Sequence, residues 1–451
     1  MNYAIVMAAG KGTRMDSALT KTMHVVNDRP MVGHIYTNLK KAGIDEIVFV
    51  VGHGAQQIED YLGDKVQYAI QDPQLGSGHA VMQAAQLKDR PGTTLIVNGD
   101  CPLIQPETYR AMLDKAREYP FVDLTTCPPE AGSYGRIVRD GSGDLGRIVE
   151  YKDCTTDERR ITEINVGIYA ADNQLLWQYL PEIGSDNEQH EYYVTDLVRI
   201  FRSHGHKVAG LLDEDWQQMQ GINTRTELVA ANRWLWHRIN YYWLDHGVTI
   251  VDPDQTYIGG DVTIGRDTVI YPNTRIEGHT VIGANNIIDS GCYFNNAVIG
   301  DGNVIHSCRI TDSSVGSSVT LGPWAHLRNG CAIHDHVRIG NFVEMKNSII
   351  DDGTKCAHLT YVGDATVGKA VNFGCGVVTV NYDGKHKFRT TIDDGAFIGS
   401  NANLIAPIHI GANTLVAAGS TVNHDVQDGD MAIARVRQEN KPGYGTKYKN
   451  K

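Results

Sequence analysis

From Ile258 onward, the aliphatic residues of this 451-residue chain recur every six positions, and no other feature constrains the fold as tightly. The first run is Ile258, Ile264, Ile270, Ile276, Ile282 and Ile288. The register slips near Phe294 and resumes as Val315, Leu321, Leu327, Ile333, Ile339 and Met345. After a second break it runs Ile392, Ile398, Leu404, Ile410, Val416 and Val422, and glycine often follows the aliphatic. An α-helix does not produce period six, and strand alternation does not single out every sixth residue. A hexapeptide period is the signature of a parallel β-helix. Each hexapeptide makes one short strand and a corner, three make a triangular coil, and the aliphatic points into the prism. The span 258–422 holds about 27 hexapeptides, or nine coils.

The first 224 residues follow another pattern. Strands are predicted at Tyr3–Ala8, Ile47–Val51 and Thr94–Asn98, with helices around Met31–Ala42 and Ala55–Leu62. Alternating strands and helices imply a mostly parallel sheet covered on both faces, with ligands at the carboxyl ends of its strands. Gly10-Lys11-Gly12 and Asn98-Gly99-Asp100 both lie at such ends. Between the halves, Thr226–His246 suits a helix with Trp234, Trp236 and Trp243 on or near one face, read as a rigid arm. The predicted organisation is α/β: a Rossmann-like domain over 1–225, a helical linker over 226–247, and a β-helix over 248–451.

Net charge is −12, which disfavours a large nucleic-acid footprint. No apolar run approaches the ~20 residues of a membrane span. The start, Met1-Asn2-Tyr3-Ala4-Ile5-Val6, lacks the basic region of a signal peptide. The eight cysteines form no C-x-x-C pair, which predicts reduced thiols in a cytoplasmic protein, without structural zinc or disulfides. Basic residues at 435, 437, 441, 447, 449 and 451, against the single acid Glu439, make a cationic tail. A solvated tail and a site for an anionic ligand both fit it.

The loop Ala8-Ala9-Gly10-Lys11-Gly12-Thr13-Arg14-Met15 lacks the third glycine of a dinucleotide fingerprint and the ending of a Walker A loop. It offers backbone N–H groups and two cations, Lys11 and Arg14, which suits a triphosphate. Lys21 follows at a distance that could bring an ammonium to the same phosphates. Asp100 ends a strand, where a lone carboxylate suits Mg²⁺ or caps a turn, and Asn223 could add a neutral oxygen. In the second half, polar residues interrupt the repeat at Asn341–Lys346, at Ala357–Asp364 and in the insertion Val380–Lys387. His334-Asp335-His336 is a weaker metal candidate, because no third histidine is suitably spaced.

The order of these motifs is similar to one family over the whole chain. The loop with Lys21, Gln71…Gln74-Leu75-Gly76-Ser77-Gly78-His79-Ala80, Tyr134-Gly135-Arg136-Ile137, Ile148-Val149-Glu150, Glu163-Ile164-Asn165 and Gly221-Ile222-Asn223 resemble the bifunctional N-acetylglucosamine-1-phosphate uridyltransferases/glucosamine-1-phosphate N-acetyltransferases. The resemblance implies a left-handed β-helix. It implies acetylation of glucosamine-1-phosphate by acetyl-CoA, then uridylyl transfer from UTP with release of pyrophosphate. The product, UDP-N-acetylglucosamine, would serve peptidoglycan and lipid A synthesis. By the same resemblance Ala8, Ala9, Gly10, Lys11, Arg14, Lys21, Gln71, Gly76, Ser77 and Asn223 hold the nucleotide. Gly135, Glu150 and Asn165 bind the sugar, and Asp100 with Asn223 binds one or two Mg²⁺.

In the β-helix the resemblance makes His358 the general base, for which a neutral imidazole is suited. Arg328, Lys346, Tyr361, Asn372 and Lys387 would grip the sugar phosphate. Cys375, Asn381, Tyr382, Ser400, Ala418 and Arg435 would line the acetyl-CoA channel, and Glu344 would orient the amine or the histidine. A homotrimer with acetyl sites between protomers is implied; no nucleic acid or membrane partner is. The chain departs from the family pattern at Thr20 and Asn329, where proline is usual, and at Ser77, Asn98 and Cys375. Thr20 is expected to loosen the loop before Lys21, and Cys375 to crowd the CoA arm or simply to pack. Two alternatives remain: a single-activity sugar nucleotidyltransferase with an assembly β-helix, and a non-catalytic assembly subunit.

Overall fold

The computed structural model describes residues 1–187 and 189–448, so Lys449 and Lys451 of the cationic tail lie outside the described residues. The chain divides between Leu235 and Trp236 into two compact units.

The first unit contains strands β1 (Asn2–Met7), β2 (Glu46–Val51), β3 (Gln67–Ile70), β4 (Thr93–Asn98), β5 (Phe121–Thr126), β6 (Arg136–Arg139), β7 (Leu145–Val149), β8 (Ile164–Asp172) and β9 (Val208–Leu212). The sheet order is β9-β5-β8-β4-β1-β2-β3, with the β6–β7 hairpin attached to β8. The pairs β1–β2, β1–β4, β2–β3 and β5–β9 are parallel. Only β8 runs against both neighbours on the main path. Side chains alternate between two cores: Ala4 and Val6 of β1 join one cluster, Tyr3 and Ile5 the other. Burial on both faces explains why these strands read as continuous apolar runs. The helices Met31–Ala42 and Ala55–Leu62 form where predicted.

Strand β8 carries a register shift: Asn165 faces Thr125 of β5, yet Tyr169 faces Asp123. Four residues of β8 thus advance against two of β5. Asp123 is fully buried, and neither carboxyl oxygen has a hydrogen-bond partner among the described residues. Burial, reinforced by Glu163 and opposed by Arg139, pushes its pKa well above the usual carboxylate range.

In the second unit every residue of the three predicted aliphatic runs is buried. Three columns of side chains fill the prism. One contains Ile264, Ile282, Ile299, Val315, Ile333, Ile350, Val367, Ile392 and Ile410, joined by parallel pairing from coil to coil. The slip near Phe294 has a physical cause: in the seven-residue strands Tyr293–Ile299 and Arg309–Val315 the single left-handed residues Asn296 and Asp312 turn the corner, so the buried Phe294 and Ile299, like Ile310 and Val315, are one residue closer than the repeat. At another corner an aspartate from the next coil accepts the exposed backbone N–H. Asp301 receives Ala284 N at 2.7 Å, Asp335 receives Ser317 N at 2.7 Å and Asp394 receives Lys369 N at 2.7 Å.

The linking helix is Arg225–Asp245. Its tryptophans do not share a face, contrary to the sequence expectation. Trp234 packs on a cluster of the first unit that includes Met15 and Ile222, whereas Trp243 packs on the β-helix core and Trp236 lies edge-on to Tyr257. At about 100° per residue, positions 234 and 236 diverge while 236 and 243 nearly coincide.

Two stability measurements check this account. Ile276→Ala should cost about 2–5 kcal/mol in denaturant unfolding of the β-helix, against about 0.5 kcal/mol or less for exposed Val281→Ala. For Asp123 the folded pKa is raised, so its proton stabilises the native state at low pH and that contribution fades as pH rises. Asp123→Asn should therefore gain in Tm relative to the parent between pH 4 and pH 7.

Candidate active sites

The loop after β1 passes between neighbouring strand ends. A Cβ at Gly52 would lie 3.1 Å from Ala9 Cβ, Ala9 O and Gln71 O, so three strand ends converge tightly at this glycine. Ala8 and Ala9 are buried, Ala8 N donates to Val50 O at 2.8 Å, and the Gln74 amide donates to Ala9 O. Gly10, Lys11 and Arg14 face outward, and nothing lies within 4 Å of where a Gly10 side chain would begin. Gly12 takes a left-handed conformation directly against Lys21.

Residues far apart in sequence meet beyond this loop. Lys21 Nζ lies 2.6 Å from Asp100 Oδ2 and 3.1 Å from Asn223 Oδ1, and Arg14 Nη2 donates to the same Asn223 oxygen at 2.8 Å. Asn223 is fixed from behind. Ile222 N donates to Asp100 O at 2.9 Å, and Glu227 Oε2 accepts from Asn223 N and Thr224 N at 2.6 and 2.9 Å. Glu227 N in turn donates to Thr224 Oγ1 at 3.2 Å. This is a capping box at the start of the linking helix. Its Thr-x-x-Glu signal, Thr224 to Glu227, is present in the sequence. Asp100 and Asn223 already aim two oxygens at one cation, the Lys21 ammonium. A hard divalent ion prefers such oxygen donors, so the pair fits Mg²⁺ provided Lys21 moves toward phosphate.

Thr20 does not loosen the approach to Lys21. Its φ of −55° lies in the range of proline, and its N–H donates to Gln57 Oε1 at 2.9 Å, a bond proline could not make. Asn329 likewise holds φ +56°, which proline cannot adopt.

Gln71 is buried, and its amide donates to Gly76 O at 2.9 Å and lies 3.3 Å from His79 Nδ1. Gly76 has φ +106°, and a Cβ there would lie 2.6 Å from Tyr192 O. Ser77 Oγ accepts from Val194 N at 3.0 Å. Lys11, Gly52, His53, Gln71 and Gln74 border a cleft of about 640 Å³. A second cleft, of about 350 Å³, is lined by Glu150, Asp153, Tyr193 and Thr195 among others. Burial raises the Glu150 pKa, Asp153 adds to the rise, and a hydrogen bond from Thr195 opposes it. Gly135 approaches Glu150, and its carbonyl accepts from Asn165 N at 2.9 Å. The Asn165 amide donates to Tyr169 OH at 2.9 Å and accepts from Gly167 N at 2.7 Å.

In the β-helix, His358 is exposed at the end of the strand Lys355–His358, opposite Asn341 of the coil before. One backbone ladder continues through this corner. Leu359 N donates to Asn341 O at 2.9 Å, Gly376 N to His358 O at 3.4 Å, Asn401 N to Cys375 O at 2.7 Å and Gly419 N to Ser400 O at 2.8 Å. His358, Cys375, Ser400 and Ala418 therefore stack in one column, and Arg435 ends it beside Gly419. Cys375 occupies this column half-buried.

Arg328, Lys346 and Tyr361 gather on the adjoining face. Glu344, expected to orient the amine or the histidine, pairs with Arg328: its Oε1 accepts Arg328 Nε at 2.9 Å and Nη2 at 2.5 Å. Lys387 returns on the insertion and sits against Lys346, whose pKa falls through that contact and then through burial. Asn381 is buried at the base of the insertion, and Tyr382 is exposed on it. Asn372 is not brought to this cluster. It pairs with Lys355 and Phe397 on the face that carries His358. The His-x-His candidate also separates: His334 Nδ1 lies 3.0 Å from Asp351, with Asp352 nearby, and His336 turns through a left-handed corner.

Comparisons with known proteins agree with this division. Residues 4–152 match the MobA-like NTP transferase domain, 257–346 the GMPPB C-terminal domain and 389–424 the bacterial transferase hexapeptide repeats. The chain is 46% identical over 451 residues to the bifunctional protein GlmU of Halalkalibacterium halodurans, covering 99% of each. It is 47% identical to that of Brevibacillus brevis, covering 100% of this chain and 98% of the relative. For GlmU of Listeria monocytogenes the figures are 45%, 98% and 97%. With both units matched end to end at this identity, the chain belongs to the bifunctional GlmU family of nucleotidyltransferase–acetyltransferases.

Proposed function

We propose that the β-helix acetylates glucosamine-1-phosphate and that the N-terminal unit then joins the product to a uridylyl group. The observation that carries the second step is the meeting of Lys21, Asp100, Asn223 and Arg14 beside the glycine loop. A sugar-phosphate oxygen attacks the α-phosphorus of UTP, the bond to the bridging oxygen breaks, and pyrophosphate leaves. Such a transfer needs positioning and charge stabilisation more than covalent help. Lys21 and Arg14 meet the phosphates, Gln71 and Gly76 present polar groups to uracil, and Glu150 and Asn165 hold the sugar. Mg²⁺, when held by Asp100 and Asn223, neutralises phosphate charge.

In the first step the sugar amine attacks the thioester carbonyl, His358 takes the amine proton, and the CoA thiolate leaves. Lys346, Lys387, Arg328 and Tyr361 form a cationic and hydroxyl grip for the phosphate, while small residues below His358 leave room for the CoA arm. The basic tail from Arg435 supplies charge for CoA phosphates. The acting form is a homotrimer. The separation of Asn372 from the grip supports this, because a neighbouring protomer can bring such a residue to a site that one chain leaves incomplete.

The test is one assay containing glucosamine-1-phosphate, acetyl-CoA, UTP and Mg²⁺, each omitted in turn. His358→Ala should abolish acetyl transfer, by about a hundredfold or more, and spare uridylyl transfer. Asp100→Ala should do the reverse. Equal acetyl transfer with and without the imidazole would refute the base, and intact Mg²⁺-dependent uridylyl transfer in Asp100→Ala would refute the metal site.

A further inference from the structure

Asp364 is a buried carboxylate at a left-handed corner (φ +49°) between the two groups of residues assigned to the acetyl-transfer site. Its backbone is tied from both sides: its N–H donates to Lys346 O at 2.9 Å, and its carbonyl accepts from Thr390 N at 3.1 Å. Its side chain is tied as well. Oδ1 accepts from Asn347 Nδ2 at 2.6 Å on the preceding coil, and Oδ2 accepts from Asn381 Nδ2 on the following coil.

Asn381 is the first residue of a closed insertion. Phe388 N returns to Asn381 O at 2.9 Å, and Tyr382 bridges to Lys387. The neighbouring Gly363 shows how crowded this point is, since a Cβ there would lie 2.4 Å from Tyr361 OH and 2.8 Å from Asn381 Nδ2. Thus Tyr361, Asn381 and the base of the loop carrying Lys387 converge around Gly363-Asp364.

We infer that Asp364 is a positioning residue for acetyl transfer: its carboxylate locks Asn381 in place and balances the charge of the Lys346–Lys387 pair. The inference rests on the acetyltransferase reading above. Two ammonium groups in contact repel, and without a nearby anion the pair would lose a proton at lower pH. The groups facing Lys346 are Lys387 on the insertion, Asp364 at the corner and Arg328 on the preceding coil. Burial alone would raise the Asp364 pKa. Hydrogen bonds from Asn347 and Asn381 and the charges of Lys346 and Lys387 hold it below the usual carboxylate range instead. An amide at this position could satisfy only one of the two asparagine donors and would carry no charge.

The experiment measures acetyl transfer to glucosamine-1-phosphate across pH in the full chain. Asp364→Asn should lower kcat by about ten- to a hundredfold, the range of a broken charged hydrogen bond. Below the alkaline limb, where Lys346 and Lys387 keep their protons, KM for the sugar phosphate should not rise, because removing an anion leaves the phosphate subsite more positive. The alkaline limb of the profile should move to lower pH as Lys346 loses its balancing charge. Uridylyl transfer should be unchanged. The swapped pair, Asp364→Asn with Asn347→Asp, returns both the charge and the donor–acceptor pairing, and should recover most of the lost rate and the original limb.

Wild-type kcat and an unmoved limb in Asp364→Asn would overturn the inference, as would a lowered rate that appears only as raised KM. Should the single variant not fold, the swapped pair decides: recovery to about a tenth of the parental kcat/KM or more supports the role, and less overturns it. A parent protein that does not acetylate the sugar at all would instead defeat the functional reading on which the inference rests.

Discussion

Parallel stacking of coils in register is the constraint on which the second unit depends. Each coil places a side chain, most often aliphatic, at the same three inward positions, over the column below. Burying one such side chain is worth about 1.5–3 kcal/mol, and the columns repeat it throughout the prism. Inward positions are therefore closed to chemistry, and every candidate catalytic group must sit on a face, at a corner or on an insertion. His358 ends a strand, Asp364 turns a corner, and Lys387 rides a long insertion. The polar interruptions in the repeat mark those places, whereas the polar residues buried in the prism, such as Asn286, Asn303 and Thr379, donate to backbone carbonyls.

The first unit assembles its site by another rule. The carboxyl ends of β1, β2 and β4 carry loops that converge because the strands beneath them are neighbours. Lys21 comes from the loop after β1 and Asp100 from the end of β4, whereas Asn223 arrives on the segment that leads into the linking helix, and their side chains hold one another before any substrate arrives. The capping box of the linking helix serves both needs, since the Glu227 carboxylate that starts the helix also fixes the backbone of Asn223. Fold and site share those atoms.

The departures from the family pattern show how local backbone preference decides a substitution's meaning. Thr20 keeps a proline-like φ and adds a hydrogen bond, so the loop is held rather than loosened. Asn329 occupies a left-handed corner that proline would forbid. Ser77 still accepts a backbone N–H. None of these outcomes follows from residue type alone, because each depends on the dihedral angle and partner found at that position.

Periodicity alone established the β-helix, its approximate extent and its inward residues, since period six survives no other backbone geometry. Strand–helix alternation similarly identified the α/β half, and motif order identified the family. The tertiary structure decided what sequence spacing cannot encode. It brought Lys21 to an oxygen 202 positions away, committed Glu344 to Arg328 rather than to the imidazole, divided the tryptophans of the linking helix between two cores, and made Asp364 the joint between two loops. The reason is physical. A repeat is a local property repeated along the chain, whereas a hydrogen-bond partner or a shifted pKa is set by groups that meet only once the chain has closed on itself.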